Sequence, residues 1–189
     1  PVEVTVAKRQ DVSLGVVSQG TIEARTLTSA ASEVSGKVIH VAECFEAGGR
    51  FKEGDVLLRI DPADYEAALA QAKAAVADAE LALQVEEAKG AQSLRDWKKL
   101  GRREGPSALV KREPQLVSAS ARLDAARAGQ EKAARDLDRT ILRAPYDGRI
   151  LRTHTDLGSF VPMGTPLADF YAADALEVQL PVPLDDLRF

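Results

Sequence analysis

The stretch Asp61-Pro62-Ala63-Asp64-Tyr65-Glu66-Ala-Ala-Leu69-Ala-Gln-Ala72-Lys-Ala-Ala-Val76-Ala-Asp-Ala79-Glu-Leu-Ala-Leu83 decides the fold. Leu69, Val76 and Leu83 recur every seven residues, and Ala72 and Ala79 follow the first two by three. That is a period-3.5 seam of the coiled-coil kind. Asp61 reads as an N-cap with Pro62 at the first helical position, and Asp64 and Glu66 suit the positive end of the helix dipole. From Ala63 to Leu100 there is no proline and only one glycine, Gly90, among mostly strong helix formers.

A second register follows. Leu109, Leu116, Leu123 and Leu137 share one heptad position, with Gln130 filling the missing step. Ala119, Ala126 and Ala133 stand three residues further on. Alanine at alternate seam positions lets two helices approach closely. Between the registers, Gly101, Gly105 and Pro106 mark a turn, and Ser107 is a suitable N-cap for the returning helix. Pro114 would remove a helical hydrogen bond, so either the second helix kinks there or its regular part starts near Glu113; a short first turn and a kink is the favoured reading. Residues 62–139 therefore read as an antiparallel two-helix hairpin with seam residues Leu69, Val76, Leu83, Leu109, Leu116, Leu123 and Leu137. An arm of about 35 residues reaches on the order of 50 Å.

Composition agrees with a thin rod. Alanine occupies 31 of 189 positions, and 20 of these lie between Ala63 and Ala134. Aromatic residues make up 5%, which is poor material for a large enzyme core. A 45% apolar content excludes disorder, and the absence of an apolar run of about 18 residues excludes a membrane-spanning helix. A net charge of −4 argues against a nucleic-acid partner. Cys44 is alone, and His40 and His154 are the only histidines, so neither a disulfide scaffold nor a metal set is expected. No nucleophile elbow or phosphate-binding loop is present. Glu86-Glu87 and Asp185-Asp186 are adjacent carboxylates that point apart on a helix or strand. The chain starts at Pro1 and is read as a mature or trimmed fragment.

A split repeat flanks the hairpin. Before it stand Gly36, Val38, Gly48, Phe51, Gly54, Leu57 and Ile60; after it stand Gly148, Ile150, Gly158, Val161, Gly164, Leu167 and Phe170. From Gly48 and Gly158 onward the two copies register at a fixed offset. Both read as short strands and tight turns, and neither half can bury a core alone. They are expected to pack into one small β-sandwich, residues 27–61 with 140–172. Val2, Val4 and Val6, then Val12, Leu14 and Val16, then Leu176, Val178, Leu180 and Val182 alternate as strands. Residues 1–26 and 173–189 are assigned to an incomplete β-barrel or membrane-proximal module.

The layout resembles the periplasmic adaptor subunits, or membrane fusion proteins, of tripartite efflux pumps of the RND and hemolysin-D type. The residues carrying the resemblance are Val34-Ser-Gly36-Lys-Val38, Gly54-Asp-Val-Leu-Leu-Arg-Ile60-Asp61-Pro62 and Ile141-Leu-Arg-Ala144-Pro145-Tyr146-Asp147-Gly148-Arg-Ile150. The resemblance covers nearly the whole chain. It implies an α+β protein with a lipoyl-like split β-sandwich interrupted by the hairpin, no cofactor and no catalysis.

The resemblance further implies a protein of the Gram-negative periplasm, anchored to the inner membrane. It would link an inner-membrane RND transporter to an outer-membrane channel protein and self-associate, as a hexamer, in the assembled pump. The family's hairpin tip carries Arg, Leu and Ser, four residues from Arg to Leu and seven from Leu to Ser. Leu100 and Ser107 match that spacing; Asp96 holds the Arg position, with Arg95 one residue off. The expected channel-docking residues are Arg95, Asp96, Lys99, Leu100, Arg102, Arg103 and Ser107. From Arg95 to Arg112 seven basic residues face two acidic ones, a local +5 on an acidic protein. Trp97, the only tryptophan, is expected in the seam. Two other readings stand beside this one: an adaptor of an ATP-driven or type I secretion system, and a lipoyl or biotinyl carrier with an inserted hairpin. The carrier would need a lysine on a tight turn between the halves, where Asp61 to Thr140 stands instead.

Overall fold

The computed structural model describes residues 2–4, 9, 18–101, 105–174 and 176–181. In chain order the elements are β1 (Thr21–Ala24), β2 (Leu27–Ala31), β3 (Gly36–Val41), β4 (Arg50–Phe51), β5 (Val56–Ile60), α1 (Ala63–Lys99), α2 (Glu113–Asp138), β6 (Ile141–Arg143), β7 (Gly148–Thr153), β8 (Phe160–Val161), β9 (Pro166–Ala172) and β10 (Leu176–Gln179). Two four-stranded antiparallel sheets form, ordered β2-β9-β7-β4 and β6-β5-β3-β8. Each half of the split repeat supplies strands to both sheets, so the halves interlock.

The repeat explains the core. Val38, Leu57, Leu58, Ile150, Val161, Leu167 and Phe170 are each 2% exposed or less. Most are equivalent positions of the two copies, because the same backbone turns its alternate side chains inward in both. Phe170 is the centre. Phe51 meets it edge-on at 5.5 Å between ring centroids, and Tyr146 at 6.0 Å. A Cβ on Gly148 would lie 2.3 Å from the Tyr171 carbonyl oxygen and 3.0 Å from Phe51 Cζ, so the strand can pass there only as glycine.

The hairpin follows the heptads. The covered positions of α1 include Leu69, Ala72, Val76, Ala79 and Leu83; those of α2 include Leu116, Ala119, Leu123, Ala126, Gln130, Ala133 and Leu137. Val76, Ala119 and Leu123 are buried. Between the helices Arg127 bonds Glu80 at 3.0 Å, an exposed pair worth roughly 0–1 kcal/mol. The N-cap falls on Pro62, one residue later than the expected Asp61, because the Pro62 carbonyl accepts the first helical bond, from the Glu66 amide; the Asp61 carboxylate still accepts the Ala63 amide at 3.1 Å. At the base, Tyr65 Oη donates to the Ser35 carbonyl at 2.6 Å, and Arg139 Nε pairs with Glu33 at 2.7 Å.

Three further expectations need correction. Leu109 is not in the seam: it is 71% exposed and precedes α2, which starts at Glu113. The kink expected at Pro114 is instead a stop and restart, so Pro114 sits in the first turn of α2, where its missing amide costs nothing. Val2 and Val4 show no strand among the described residues. Alternation reports a face and supplies no hydrogen-bonding neighbour. Val6, Val12, Leu14, Val16 and Val182 lie outside the described residues. Leu176 and Val178 do form a strand, pairing with β1 as a two-stranded ribbon (Ile22 opposite Val178) whose residues are mostly exposed.

Leucine-to-alanine substitutions separate seam from turn. Leu123→Ala should cost about 2–5 kcal/mol in urea unfolding, whereas Leu109→Ala should change stability by less than about 0.5 kcal/mol.

Candidate functional site

The far end of the hairpin is built by what replaces leucine in the seam. Beyond Leu83, the α1 seam continues as Glu86, Gly90, Ser93 and Trp97, all buried or half-buried. Trp97 thus lies in the seam, as expected. A Cβ on Gly90 would come 3.3 Å from the Lys111 carbonyl oxygen. The returning chain passes over this glycine closely enough that any side chain there would make the chain give by a few tenths of an ångström.

The returning chain makes one turn before α2 begins. The Lys111 amide donates to the Ser107 carbonyl at 3.1 Å. The Arg112 amide then donates to Leu109 and the Glu113 amide to Ala108, at 3.1 and 3.0 Å. This pair of bonds around a left-handed residue is the Schellman arrangement that stops a helical turn. The left-handed residue is Arg112, at φ 59° and ψ 28°, a conformation that costs a non-glycine residue roughly 1–2 kcal/mol. Its guanidinium holds it there. Arg112 Nε donates to Glu86 Oε2 at 2.8 Å, and Nη2 bonds the same oxygen. Lys89 Nζ takes Glu86 Oε1 at 2.9 Å. Lys89 first and Arg112 second hold the Glu86 carboxyl below its ordinary value. This clamp was missed in the sequence because its charges belong to different registers; Gly90 and Pro114 were the readable signals.

The clamp positions the expected docking residues. Arg95, Asp96 and Lys99 lie exposed on the last turns of α1, where Lys99 pairs with Asp96 at 3.3 Å. Asp96, at the family's Arg position, is thus half of a local i,i+3 pair. Leu100 follows α1 and is 64% exposed. Ser107 is exposed, its Oγ accepting the Val110 amide at a long 3.4 Å. Arg102 and Arg103 lie outside the described residues. Exposed Leu109 adds a second large apolar side chain to this end. No group of three or more His, Cys, Asp and Glu that would suit a metal occurs among the described residues.

The Ala144-Pro145-Tyr146-Asp147-Gly148 signature does a different job. Asp147 Oδ1 accepts the Glu53 amide at 2.7 Å, and Tyr146 Oη donates to Thr28 Oγ1 at 2.7 Å. The Gly54 amide donates to the Ala144 carbonyl at 2.9 Å. Each of these three bonds joins the second half-sandwich to the first.

Comparison with known proteins agrees with this architecture. The family of RND MFP barrel-sandwich hybrid domains matches residues 26–170. The multidrug resistance protein MdtA of Photorhabdus laumondii is 29% identical over 198 residues, spanning 100% of this chain and 46% of that protein. MdtA of Cronobacter turicensis is 31% identical over 170 residues, 87% of this chain and 39% of that protein. The chain therefore spans less than half the length of these relatives. A putative efflux transporter from Bacteroides eggerthii superposes with a TM-score of 0.64 at 26% identity, covering 89% of this chain and 46% of that one. A MacA–MexA chimera carrying the Pseudomonas aeruginosa MexA α-hairpin superposes with a TM-score of 0.65 at 25% identity, covering 91% and 55%.

The Glu86 clamp predicts a pH window. A carboxyl held low in the fold contributes fully above its ordinary 4.5 and loses that contribution as the pH falls through its lowered value. Urea unfolding followed by Trp97 fluorescence should be flat in this respect from neutral pH to about 5 and weaken below about 4.5. Glu86→Gln should lower stability at neutral pH and flatten that acid limb.

Proposed function

The chain belongs to the RND membrane fusion proteins, and on that premise we propose that it is the periplasmic adaptor of a tripartite efflux pump. It links an inner-membrane RND transporter to an outer-membrane channel, in a cell envelope where it is anchored at the inner membrane. Residues 27–61 and 140–172 form the lipoyl-like body, residues 62–139 the spacer, and residues 1–26 and 173–189 part of a barrel or membrane-proximal module toward the pump. The transported molecules are drugs of several classes, a reading supported by the multidrug resistance proteins it resembles.

The observation that carries this reading is the hairpin end. Leu100 is exposed on a tip whose geometry the Glu86–Arg112 clamp fixes, with basic residues around it and Ser107 at the family's spacing. Leu100 buries itself in the channel, and the basic side chains steer the approach and pair with acidic groups. Each exposed charge pair is worth only roughly 0–1 kcal/mol. A hexameric ring of adaptors multiplies such weak contacts into stable docking. A swinging-arm carrier is disfavoured because β5 ends at Ile60 and β6 starts at Ile141, with the whole hairpin where a carrier presents its lysine.

Leu100→Asp tests the reading. It should abolish crosslinking to the outer-membrane channel and return drug susceptibility to that of a strain lacking the adaptor, with unchanged helix content by circular dichroism. Lost helicity would make Leu100 a packing residue, and full efflux by the variant would remove it from docking.

A further inference from the structure

The two half-sandwiches are internal controls for one another, and one difference between them lies on an exposed edge. Gly48 and Gly158 have φ of 87° and 86°, and Gly54 and Gly164 have 84° and 85°. The backbone around β4 and β8 is therefore the same in both copies. At equivalent positions the first copy carries Ala47, Arg50 and Glu53, and the second carries Leu157, Phe160 and Met163. These last three are 65%, 69% and 74% exposed. The fold does not require them to be apolar, since its own first half does without them. Three large apolar side chains held in water within seven residues of an edge strand mark an interface.

The other copy of the same edge is unusual in a complementary way. Arg50 stands directly opposite Arg149 on β7, and Arg149 stands opposite Tyr171 on β9. Like charges directly opposite destabilise a sheet. Among the described residues neither arginine has an ion-pair or side-chain hydrogen-bond partner, although Arg152 in the neighbouring row reaches Asp169 at 3.6 Å. Two unpaired guanidinium groups on an outer sheet face beside a tyrosine ring suit an aromatic ring and a carboxylate from elsewhere.

We propose that the Phe160 edge of one copy of this chain docks on the Arg50–Arg149 face of a second copy. Phe160 lies against the two guanidinium groups, Leu157 and Met163 cover the surrounding surface, and Asp156, exposed beside Leu157, pairs with an arginine. The proposal rests on the self-association proposed above and names the surface that mediates it. The charges disfavour pairing two Arg50–Arg149 faces, which would place four guanidinium groups together. The unlike faces instead bring the Phe160 ring and the Asp156 carboxylate to those groups. The contact is therefore head-to-tail, and β4 and β8 are edge strands of different sheets, so each copy keeps one face of each kind free for the next neighbour. A contact of this type builds a ring where its rotation closes and an open filament where it does not.

Cysteine pairs test it in the full-length protein with Cys44→Ser. Phe160→Cys combined with Arg50→Cys, treated with a short bismaleimide, should give a ladder of dimers, trimers and larger species, while either cysteine alone gives none. The triple change L157A/F160R/M163E copies side chains the first half already carries on this backbone. It should weaken self-association in sedimentation by about tenfold or more with an unchanged circular dichroism spectrum. Dimers from Phe160→Cys alone, crosslinks only to a different protein, or a self-associating protein that gives no ladder would overturn the interface. A wild-type protein that stays monomeric would overturn the self-association itself.

Discussion

The hydrogen bond from the Ile60 amide to the Thr140 carbonyl, at 2.8 Å, closes the loop that holds the whole helical insertion. It belongs to the pairing of β5 with β6, the strands at either end of the helical insertion. Neighbouring strands lie about 4.8 Å apart, so the insertion must leave and re-enter the sandwich at nearly one point. Two helices starting there side by side have no economical arrangement except antiparallel contact. The bonds from Tyr65 to Ser35 and from Arg139 to Glu33 then fix how the rod stands on the body. The direction of the hairpin and the position of its far end follow from a strand pairing far from that end.

Two kinds of packing divide the work. In the sandwich, a few large side chains around Phe170 interdigitate across sheets, and the signature residues Tyr146 and Asp147 lace the halves together with polar bonds. In the rod, alanine alternates with leucine, which brings the helices close but buries little area per residue. The rod therefore relies on length and regularity. Near its end even leucine disappears from the α1 seam, and a glycine crossing and a charged clamp take over. A clamp is directional where an apolar seam is not. It fixes Arg112 in a left-handed turn, so the end has one shape.

The heptads were legible because period 3.5 is a strong signal carried by residues on one face. They over-reached at Leu109, which has the spacing but sits before the helix starts. Spacing cannot report that Arg112 turns left-handed, because that depends on Glu86, 26 residues earlier and on the other helix. The repeat was legible from its glycines, and the buried positions followed from matching the copies. The alternating valines near Val2 were misleading for the opposite reason: a strand needs a neighbour, and alternation says nothing about one. Leu100 and Ser107 could be singled out by the family's spacing, but their exposure is a property of the folded end.

By itself the sequence determined the two-helix rod, the split sandwich around it and the family to which the chain belongs. Helix propensity, heptad spacing and glycine placement act over a few residues and survive in any one-dimensional reading. Only the tertiary structure decided where α2 begins, which charges clamp the end, and that Arg50 meets Arg149 on one sheet while Phe160 stands bare at the edge of the other. Those facts depend on which distant residues become neighbours, and the pairing of strands from two half-sandwiches separated by nearly eighty residues sets that.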